Sequence, residues 1–388
     1  MTDNLHSDSW CPLPFNAISF HPTGALTRCM MSNVSMGESY DSEQMQQLRQ
    51  DMLAGKWDKE GCMSCWKKEE QGNISQRQKW LQRNPKDFKS QEGYNNPRLT
   101  GNPINHMFVN YSNICNFKCR MCGPNYSNSL IPEHKHLHSI GLGKQVKVES
   151  IKNRNFINDY LKNNPQSLDN VNSIWITGGE PLMDDSCYEL INILDTYDKS
   201  YDTDMVITTN GSKVDLDKLQ QFETLKFFEL DLSLDAPNNM FDYMRSAGVF
   251  IDDLTHFKKE NSSWFHMCFN SSIQAFNFDT VLEFDKLCRD AGALNNTRML
   301  VFPEHFRLDV LPLEMRQAEF NKIKDYTVAE WDPRFKRTFT DICKSMLQEQ
   351  ANDTVVNKFK EFTKAQDTYR DMYLYDYHTQ LADFIYGK

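Results

Sequence analysis

Three cysteines stand close together in the stretch SNICNFKCRMC, residues 112–122. They are Cys115, Cys119 and Cys122, and their spacing is C-x3-C-x2-C. Cysteine thiolates hold iron–sulfur clusters, and three of them in one short loop can bind three of the four irons of a cubane. The fourth iron then lacks a protein ligand, and an external ligand can bind there. Zinc is the alternative metal, but structural zinc sites have four protein ligands, and no fourth cysteine follows nearby.

Short apolar runs alternate with amphipathic segments just before this loop and throughout the sequence that follows it. The predicted strands are residues 106–111, 173–177, 204–209, 226–234, 264–271 and 297–302. The predicted helices are residues 127–138, 151–163, 185–197, 216–222, 251–259 and 279–291. Such alternation is typical of parallel strands joined by crossover helices. Because six such units fall short of the eight of a complete barrel, we expect an α/β fold, a partial (βα)6 TIM-like barrel.

The sequence divides into three regions that differ in composition and in hydrophobic pattern. Residues 1–100 carry four cysteines and little strand pattern, and a turn-rich passage at 95–103 closes this region as a linker. Residues 101–310 hold the predicted barrel. Residues 311–388 are charged and aromatic, and two or three amphipathic helices are expected between 330 and 386. We therefore expect a small N-terminal domain, the barrel and a helical C-terminal extension.

The composition is that of an acidic globular protein, with a formal net charge of -10. Proteins that grip nucleic acid need clustered Lys and Arg, so nucleic acid is not an expected partner. No segment reaches the ~20 apolar residues of a membrane-spanning helix, and the first residues are polar, so we expect a cytoplasmic protein without membrane contact. In that reducing compartment, the 11 cysteines are expected to be metal ligands, catalytic thiols or core residues rather than disulfides.

A second group of cysteines lies in the N-terminal region and consists of Cys11, Cys29, Cys62 and Cys65. The last two form a C-x2-C pair, and Cys29 ends a predicted β-hairpin of residues 17–20 and 25–29. Four thiolates spaced in this way can converge on one metal site. A closed 4Fe–4S cluster and a structural zinc ion take the same four ligands, so the sequence leaves both open.

Further motifs follow the later strands. The sequence TGGEP occupies residues 177–181, LSLDAP occupies residues 232–237, and Arg245 comes soon after. Two glycines let the backbone approach a ligand closely, and an arginine guanidinium suits a carboxylate. Asn210 and Asn270 put small polar groups at the ends of two more strands. Arg245 has an alternative partner in Asp242, with which it would form a surface ion pair.

Together, the cysteine triplet and these motifs resemble the radical S-adenosylmethionine superfamily, although Met121 replaces the aromatic residue that is usual before the third cysteine. The resemblance implies that the amino and carboxylate groups of S-adenosylmethionine chelate the open iron of a 4Fe–4S cluster. It also implies that an electron from the reduced cluster cleaves a sulfur–carbon bond, releasing methionine and a 5′-deoxyadenosyl radical that takes hydrogen from a substrate. The residues assigned to the cofactor are Gly178, Gly179, Glu180, Pro181, Asn210, Ser233, Asp235, Arg245 and Asn270.

The N-terminal cysteines resemble the twitch or SPASM-type auxiliary-cluster domain of the same superfamily, although here they precede the barrel. The resemblance implies a second 4Fe–4S cluster with an electron-relay or structural role, and zinc is its alternative. It favours a peptide or protein side chain as the substrate and a flavodoxin- or ferredoxin-type protein as the electron donor. The other functions left open are modification of a small metabolite, such as a sugar or nucleoside, and a non-enzymatic iron–sulfur or zinc scaffold.

Overall fold

The computed structural model describes residues 9–22, 25–32, 34–70, 74–82, 97–151, 155–245, 251–328 and 332–387. Parts of the predicted linker (95–96), hairpin turn (23–24) and second helix (152–154) lie outside these residues. Two compact units are present. The first comprises Met1–Ser112, Ile151–Ile207 and Asp217–Phe228, and the second comprises Asn113–Ser150, Thr208–Leu216 and Glu229–Lys388. The domain boundaries expected near residues 100 and 310 stay a prediction.

The elements follow one another along the chain largely as predicted. The strands are β1 (Ala17–Phe20), β2 (Leu26–Thr27), β3 (His106–Asn110), β4 (Ser173–Thr177), β5 (Asp204–Thr209), β6 (Phe227–Ser233), β7 (Phe265–Asn270), β8 (Ser272–Ile273), β9 (Leu294–Asn295) and β10 (Arg298–Met299). The helices are α1 (Leu13–Asn16), α2 (Glu43–Leu53), α3 (Met63–Glu70), α4 (Gln76–Leu81), α5 (Ile131–Ser139), α6 (Phe156–Asn163), α7 (Ser186–Thr196), α8 (Leu216–Leu219), α9 (Met240–Arg245), α10 (Ile251–Glu260), α11 (Val281–Asp290), α12 (Leu313–Ile323), α13 (Pro333–Met346), α14 (Asp353–Arg370) and α15 (Thr379–Tyr386).

The sheet of the first unit has the strand order β2–β1–β3–β4–β5. Strands β1, β3, β4 and β5 are parallel, with Ala17 opposite His106, His106 opposite Ser173, and Ser173 opposite Asp204. Strand β2 is antiparallel to β1, which confirms the predicted hairpin. The parallel strands joined by helices confirm the predicted α/β class. The pairing of β1 with β3, which draws the N-terminal segment into the sheet, was not predicted.

An aromatic cluster forms the core beneath the N-terminal segment of the first unit. Trp80 is completely buried, and its ring lies 4.7 Å from the His106 ring and 5.9 Å from the Phe108 ring, measured between centroids. Helix α4, which carries Trp80, begins with a capping box in which the Ser75 and Gln78 side chains satisfy each other's backbone amides. Local capping and aromatic burial together hold this segment against β3.

In the second unit the strand order is β6–β7–β9. The strand predicted at 297–302 is confirmed only at Arg298–Met299, and its predicted place as the sixth strand of the sheet is wrong. The strand beside β7 is β9, with Cys268 opposite Leu294, whereas Arg298–Met299 pairs with β8. Phe302 is 74% exposed. Asn295 looks like a turn residue in the sequence, but its backbone N–H donates to Asp332 at 2.8 Å and its side chain donates to Asp285 at 3.1 Å. These long-range carboxylates satisfy a buried asparagine that local pattern assigns to a loop.

Helices α13, α14 and α15 confirm the helical extension expected between residues 330 and 386. Helix α14 begins where the Asn352 side chain accepts from the Val355 N–H, and it ends at Asp371 in a left-handed conformation. Its Phe359 and Phe362 are buried against the Phe306 ring. Within the described ranges, no helix combines the length and the apolar character required to cross a membrane.

Candidate active site

The loop with Cys115, Cys119 and Cys122, here called the cysteine loop (residues 113–122), belongs to the second unit. Side chains from the turn that follows it hold its backbone. Asn128 accepts a hydrogen bond from the Cys115 N–H at 3.1 Å, and Ser129 Oγ donates to the Cys115 carbonyl at 2.5 Å. Ser127 Oγ donates to the Phe117 carbonyl at 2.7 Å. The loop is therefore shaped by hydrogen bonds that do not involve the thiols.

The three thiols of the cysteine loop are neighbours in a largely buried environment. Cys115 and Cys119 are each 9% exposed. Burial, together with the nearby Cys119 and Cys115, raises the pKa of Cys122 to about 12. Burial also raises the pKa of Cys119, whereas the Arg245 guanidinium opposes that rise. Cys119 and Cys122, whose thiols resist ionisation in this way, become thiolates more readily when a positively charged metal group neutralises them.

Nitrogen donors surround the sulfur atoms. The Phe117 N–H donates to Cys115 Sγ at 3.4 Å, and Asn210 Nδ2 donates to the same sulfur at 3.8 Å. Arg245 Nη1 donates to Cys119 Sγ at 3.7 Å. Hydrogen bonds to ligand sulfurs are a means by which proteins set the reduction potential of an iron–sulfur cluster. The donor set of the cysteine loop therefore fits a thiolate-bound cluster.

Arg245 is held by Asp235, not by Asp242. Its Nε donates to Asp235 Oδ2 at 2.6 Å, and the two side chains are 12% and 0% exposed. The surface ion pair with Asp242 that the sequence left open is therefore wrong, because the arginine lies in the interior. Asp235 also accepts a hydrogen bond from the Ser272 N–H at 2.8 Å. Asp235 thus orients the arginine that reaches Cys119.

The other polar residues expected at the cofactor in the second unit lie at strand ends. Asn210 Nδ2 also donates to Asn116 in the cysteine loop at 3.0 Å. Asn270, at the end of β7, donates to Asp231 at 3.2 Å. Ser233 ends β6 and is half-buried. Of this group, Asn210 makes contact with the cysteine loop, while the roles expected of Ser233 and Asn270 stay predictions.

The GGEP segment belongs to the first unit and has a backbone that requires glycine. Gly178 and Gly179 have φ values of +79° and +55°, which side chains disfavour. A Cβ at Gly178 would also stand 2.0 Å from Asn110 Oδ1. Glu180 is buried, and its carboxylate accepts from the Leu182 N–H at 3.1 Å as Pro181 opens a short helical turn. The contacts of these residues with a cofactor stay predictions.

Cys11, Cys29, Cys62 and Cys65 line one cavity within the first unit, here called the four-cysteine cavity. Burial raises the pKa of Cys11, and the other three cysteines add to the rise. The shared cavity places the four thiols close together.

Arg28 is the cation next to the C-x2-C pair in this cavity. It opposes the rise that burial causes in the pKa of Cys62, and a Cβ on Gly61 would stand 2.2 Å from its guanidinium carbon. The structure thus brings together the N-terminal cysteines predicted to share a metal.

The described residues contain no group of three or more His, Cys, Asp or Glu side chains that meets at a single metal ion. A cubane distributes its cysteines over different irons, so the ligands of a cluster need not converge on one point.

Sequence reasoning gave no role to Arg120, Glu133, Asp367 or Arg370, which form buried ion pairs in the second unit. A charged residue within a short loop looks exposed in the sequence. The partners of Arg120 and Glu133, which are Asp367 and Arg370, lie in the C-terminal extension, where the sequence shows no recognisable motif. Only the three-dimensional structure connects them.

A family model described as Radical SAM superfamily matches residues 109–310, just over half of the chain. Among solved structures, SuiB of Streptococcus suis bound to S-adenosylmethionine is 16% identical, covering 57% of this chain and 47% of its own, with a TM-score of 0.40. The anSMEcpe structure with bound AdoMet is 17% identical, covering 57% of this chain and 59% of its own, with a TM-score of 0.41. These structural similarities are too low to support an argument, and this chain spans about half the length of those proteins. No curated protein matches the chain.

Proposed function

Since the chain belongs to the radical SAM superfamily and is therefore an enzyme, we propose that Cys115, Cys119 and Cys122 hold a 4Fe–4S cluster whose open iron binds S-adenosylmethionine. The observation that supports this proposal most directly is the set of three neighbouring thiols with nitrogen donors from Asn210 and Arg245. The GGEP segment and the parallel strands are assigned, by family membership, to the partial (βα)6 barrel around the cofactor.

When bound, the reduced cluster supplies one electron that cleaves a sulfur–carbon bond of S-adenosylmethionine, giving methionine and a 5′-deoxyadenosyl radical. The protein's own contribution is electrostatic. Arg245, fixed by Asp235, places a positive charge beside Cys119, and Asn210 donates to Cys115. These groups favour the electron-rich sulfurs of a reduced cluster. A flavodoxin- or ferredoxin-type protein is the proposed source of the electron.

The proposed substrate is a peptide or protein side chain. When bound, the cofactor would supply the 5′-deoxyadenosyl radical that takes a hydrogen atom from a substrate carbon. A C–H bond would break in the substrate, leaving the unpaired electron on that carbon, and a C–H bond would form in 5′-deoxyadenosine. The support for this substrate class is the resemblance of the N-terminal cysteines to the auxiliary-cluster domain, since relatives that carry this domain often act on peptides or proteins. Incubation with deuterated peptides, sugars and nucleosides tests it. Deuterium in 5′-deoxyadenosine from peptides alone is expected, and deuterium from a sugar or nucleoside alone contradicts it.

A second 4Fe–4S cluster is proposed in the four-cysteine cavity as an electron relay or structural centre. Support comes from the single cavity that the four cysteines line and from the position of Arg28 beside Cys62. Iron, sulfide and zinc analysis of anaerobically purified protein distinguishes the metals. Roughly eight irons per chain are expected, whereas about four irons with one zinc would establish a zinc site instead.

Cofactor cleavage tests the proposed activity. The reconstituted protein is incubated anaerobically with dithionite and S-adenosylmethionine, and 5′-deoxyadenosine is quantified. The wild type is expected to form it, and Cys119→Ala is expected to form none. Cys343→Ala is the matched control, because this thiol lies on α13, away from both cysteine groups in the sequence, and it should behave as the wild type. Formation by Cys119→Ala at the wild-type rate, or no formation by the wild type, contradicts the proposal.

A further inference from the structure

Arg120 lies between two cysteines of the cysteine loop, and its side chain is completely buried. A guanidinium keeps its charge inside a protein, so its burial requires partners. Asp367 on α14 provides the opposite charge, with Arg120 Nη2 2.7 Å from Asp367 Oδ1 and both side chains 0% exposed. Arg120 Nε donates to the Tyr243 carbonyl at 2.8 Å, and the guanidinium lies 3.6 Å from the centre of the Tyr243 ring.

Asp367 is held by groups other than Arg120. The Tyr243 hydroxyl donates to Asp367 Oδ1 at 2.9 Å. The Tyr386 hydroxyl, on α15, donates to Oδ2, and the Leu374 N–H donates to the same oxygen at 3.3 Å. A carboxylate with several fixed donors keeps its position even when one partner moves. Asp367 is therefore a fixed point to which the loop arginine attaches.

The backbone of Arg120 is also connected to the thiols. The Arg120 N–H donates to the Met244 carbonyl at 2.8 Å. The next residue along α9, Arg245, donates to Cys119 Sγ. Arg120 follows Cys119 directly and precedes Cys122 by two residues. A displacement of Arg120 would therefore move the two sulfur atoms that flank it.

Helix α14 makes a second attachment, to the helix that follows the loop. Glu133 on α5 accepts from Arg370 Nε and Nη2 at 2.9 Å each, and from Gln366 Nε2 at 2.8 Å. The Glu133 and Arg370 side chains are 1% and 6% exposed. Gln366 and Arg370 are one helical turn apart and share a face of α14. One turn of α14 thus binds both the cysteine loop and the helix after it.

We propose that Asp367, in the C-terminal extension, is a positioning residue for the three-cysteine site. It fixes Arg120, and through Arg120 it fixes Cys119 and Cys122 in the arrangement that a cluster needs. This inference rests on the proposed function, and it gives the extension a role in the chemistry. Residues that orient metal ligands typically change metal affinity by about 10- to 100-fold when they are replaced.

The first test measures how firmly the cluster is held. The double variant Arg120→Met/Asp367→Leu removes both charges and leaves neither buried alone. Wild type and variant are reconstituted, reduced and exposed to an iron chelator under anaerobic conditions. The part of the electron paramagnetic resonance signal that changes on addition of S-adenosylmethionine reports the three-cysteine cluster alone. We expect this part to decay at least about 10-fold faster in the double variant.

Arg316→Met is the matched control for damage to the extension. Arg316 is also fully buried there, but it donates to the carbonyls of Leu311, Ser345, Met346 and Gln348. This variant should lose its cluster at the wild-type rate, even if its melting temperature falls. Decay of the double variant at the wild-type rate, or equally fast decay of Arg316→Met, overturns the inference.

A second measurement uses the apoprotein and so does not depend on the proposed function. Alkylation of each cysteine by iodoacetamide is followed by mass spectrometry. Loosening of the loop should raise the rates at Cys119 and Cys122 severalfold in the double variant, while Cys62 serves as an unchanged internal standard. Unchanged rates at both loop cysteines count against the positioning role. A wild type that never responds to S-adenosylmethionine refutes the proposed function, and the alkylation rates then decide the inference.

Discussion

The cysteine loop and the four-cysteine cavity present the same side chain in different settings. In the loop, the cysteines come from one short segment, and backbone, amide and guanidinium groups donate to two of the three sulfurs. In the cavity, the cysteines come from three separate segments, and the walls include the apolar side chains of Leu13, Met31 and Trp57. The loop is rich in directional polar contacts, and the cavity is mainly apolar.

This difference matches the roles proposed for the two sites. A site with an open iron must be arranged by the protein, because the vacant position has to face its ligand. A closed four-ligand site can be arranged by the metal itself, since each metal–sulfur bond joins segments that are distant in sequence. We therefore expect the cavity to depend on its metal for stability, and the loop to depend on hydrogen bonds and ion pairs of the protein.

The largest expected effect is that of metal removal from the cavity. A metal that binds only the native state at 1,000 times its dissociation constant stabilises that state by about 4 kcal/mol. Cys62→Ser should lose most of the metal-dependent free energy of unfolding, whereas Cys119→Ser should keep most of it. Denaturant unfolding of both variants, with and without chelator, checks this. A greater loss in Cys119→Ser would reverse the proposed contrast.

Next in size is the effect of Asp367→Asn on the apoprotein. Breaking a buried ion pair at one partner costs about 3–5 kcal/mol, and this cost should appear without any metal because the protein arranges the loop. Asp353→Asn on the exposed first turn of the same helix is the control, expected within about 1 kcal/mol of wild type. Urea unfolding at neutral pH measures both. An equal cost for the two variants would show that the buried pair does not support the loop.

A smaller effect is expected at the GGEP segment, which tests backbone geometry instead of thiol ligands. Gly178→Ala would place Cβ 2.0 Å from Asn110 Oδ1 at a φ of +79°. Gly141 has a similar φ of +82° but open space around it, so Gly141→Ala measures the backbone strain alone. The crowding at Gly178 should add about 1–3 kcal/mol to that strain. Unfolding curves of both variants, each compared with the wild type, measure the two losses of stability. Equal losses would show that crowding by Asn110 is not a reason for glycine at position 178.

The smallest effect, counted per pH unit, is a pH dependence that both sites share in the apoprotein. Burial raises the pKa of Cys29 and of Cys122 from 9.0 to about 12. Between these pH values the unfolded chain loses protons that the folded chain keeps, so the stability present below pH 9 falls as the pH rises, by about 1.4 kcal/mol per pH unit for each thiol. Cys29→Ser and Cys122→Ser should each reduce the fall in the free energy of unfolding per pH unit, measured by denaturant unfolding across this pH range. An apoprotein whose stability rises with pH over this range would contradict the raised pKa values of Cys29 and Cys122.

Local sequence pattern was sufficient for much of the fold. The strands at 173–177 and 204–209 have the predicted bounds, because their alternating apolar residues are bounded by turn signals. The cysteine loop was recognisable because its ligands are close in sequence and their spacing defines the chemistry.

Long-range contacts account for what the sequence could not predict. Strand β9 depends on Asp285 and Asp332, which satisfy Asn295. Likewise, the pairing of Arg120 with Asp367 joins the cysteine loop to a helix without any motif. Such pairs have no local pattern, so only folding brings them together.

The central claim is that three thiolates hold a cluster with one open iron, and the electron paramagnetic resonance spectrum of the dithionite-reduced protein tests it most directly. The spectrum is recorded with and without S-adenosylmethionine. The account predicts a reduced 4Fe–4S signal that shifts when the cofactor is added, and the loss of that shift in Cys119→Ala. A wild-type spectrum that the cofactor leaves unchanged would contradict the account.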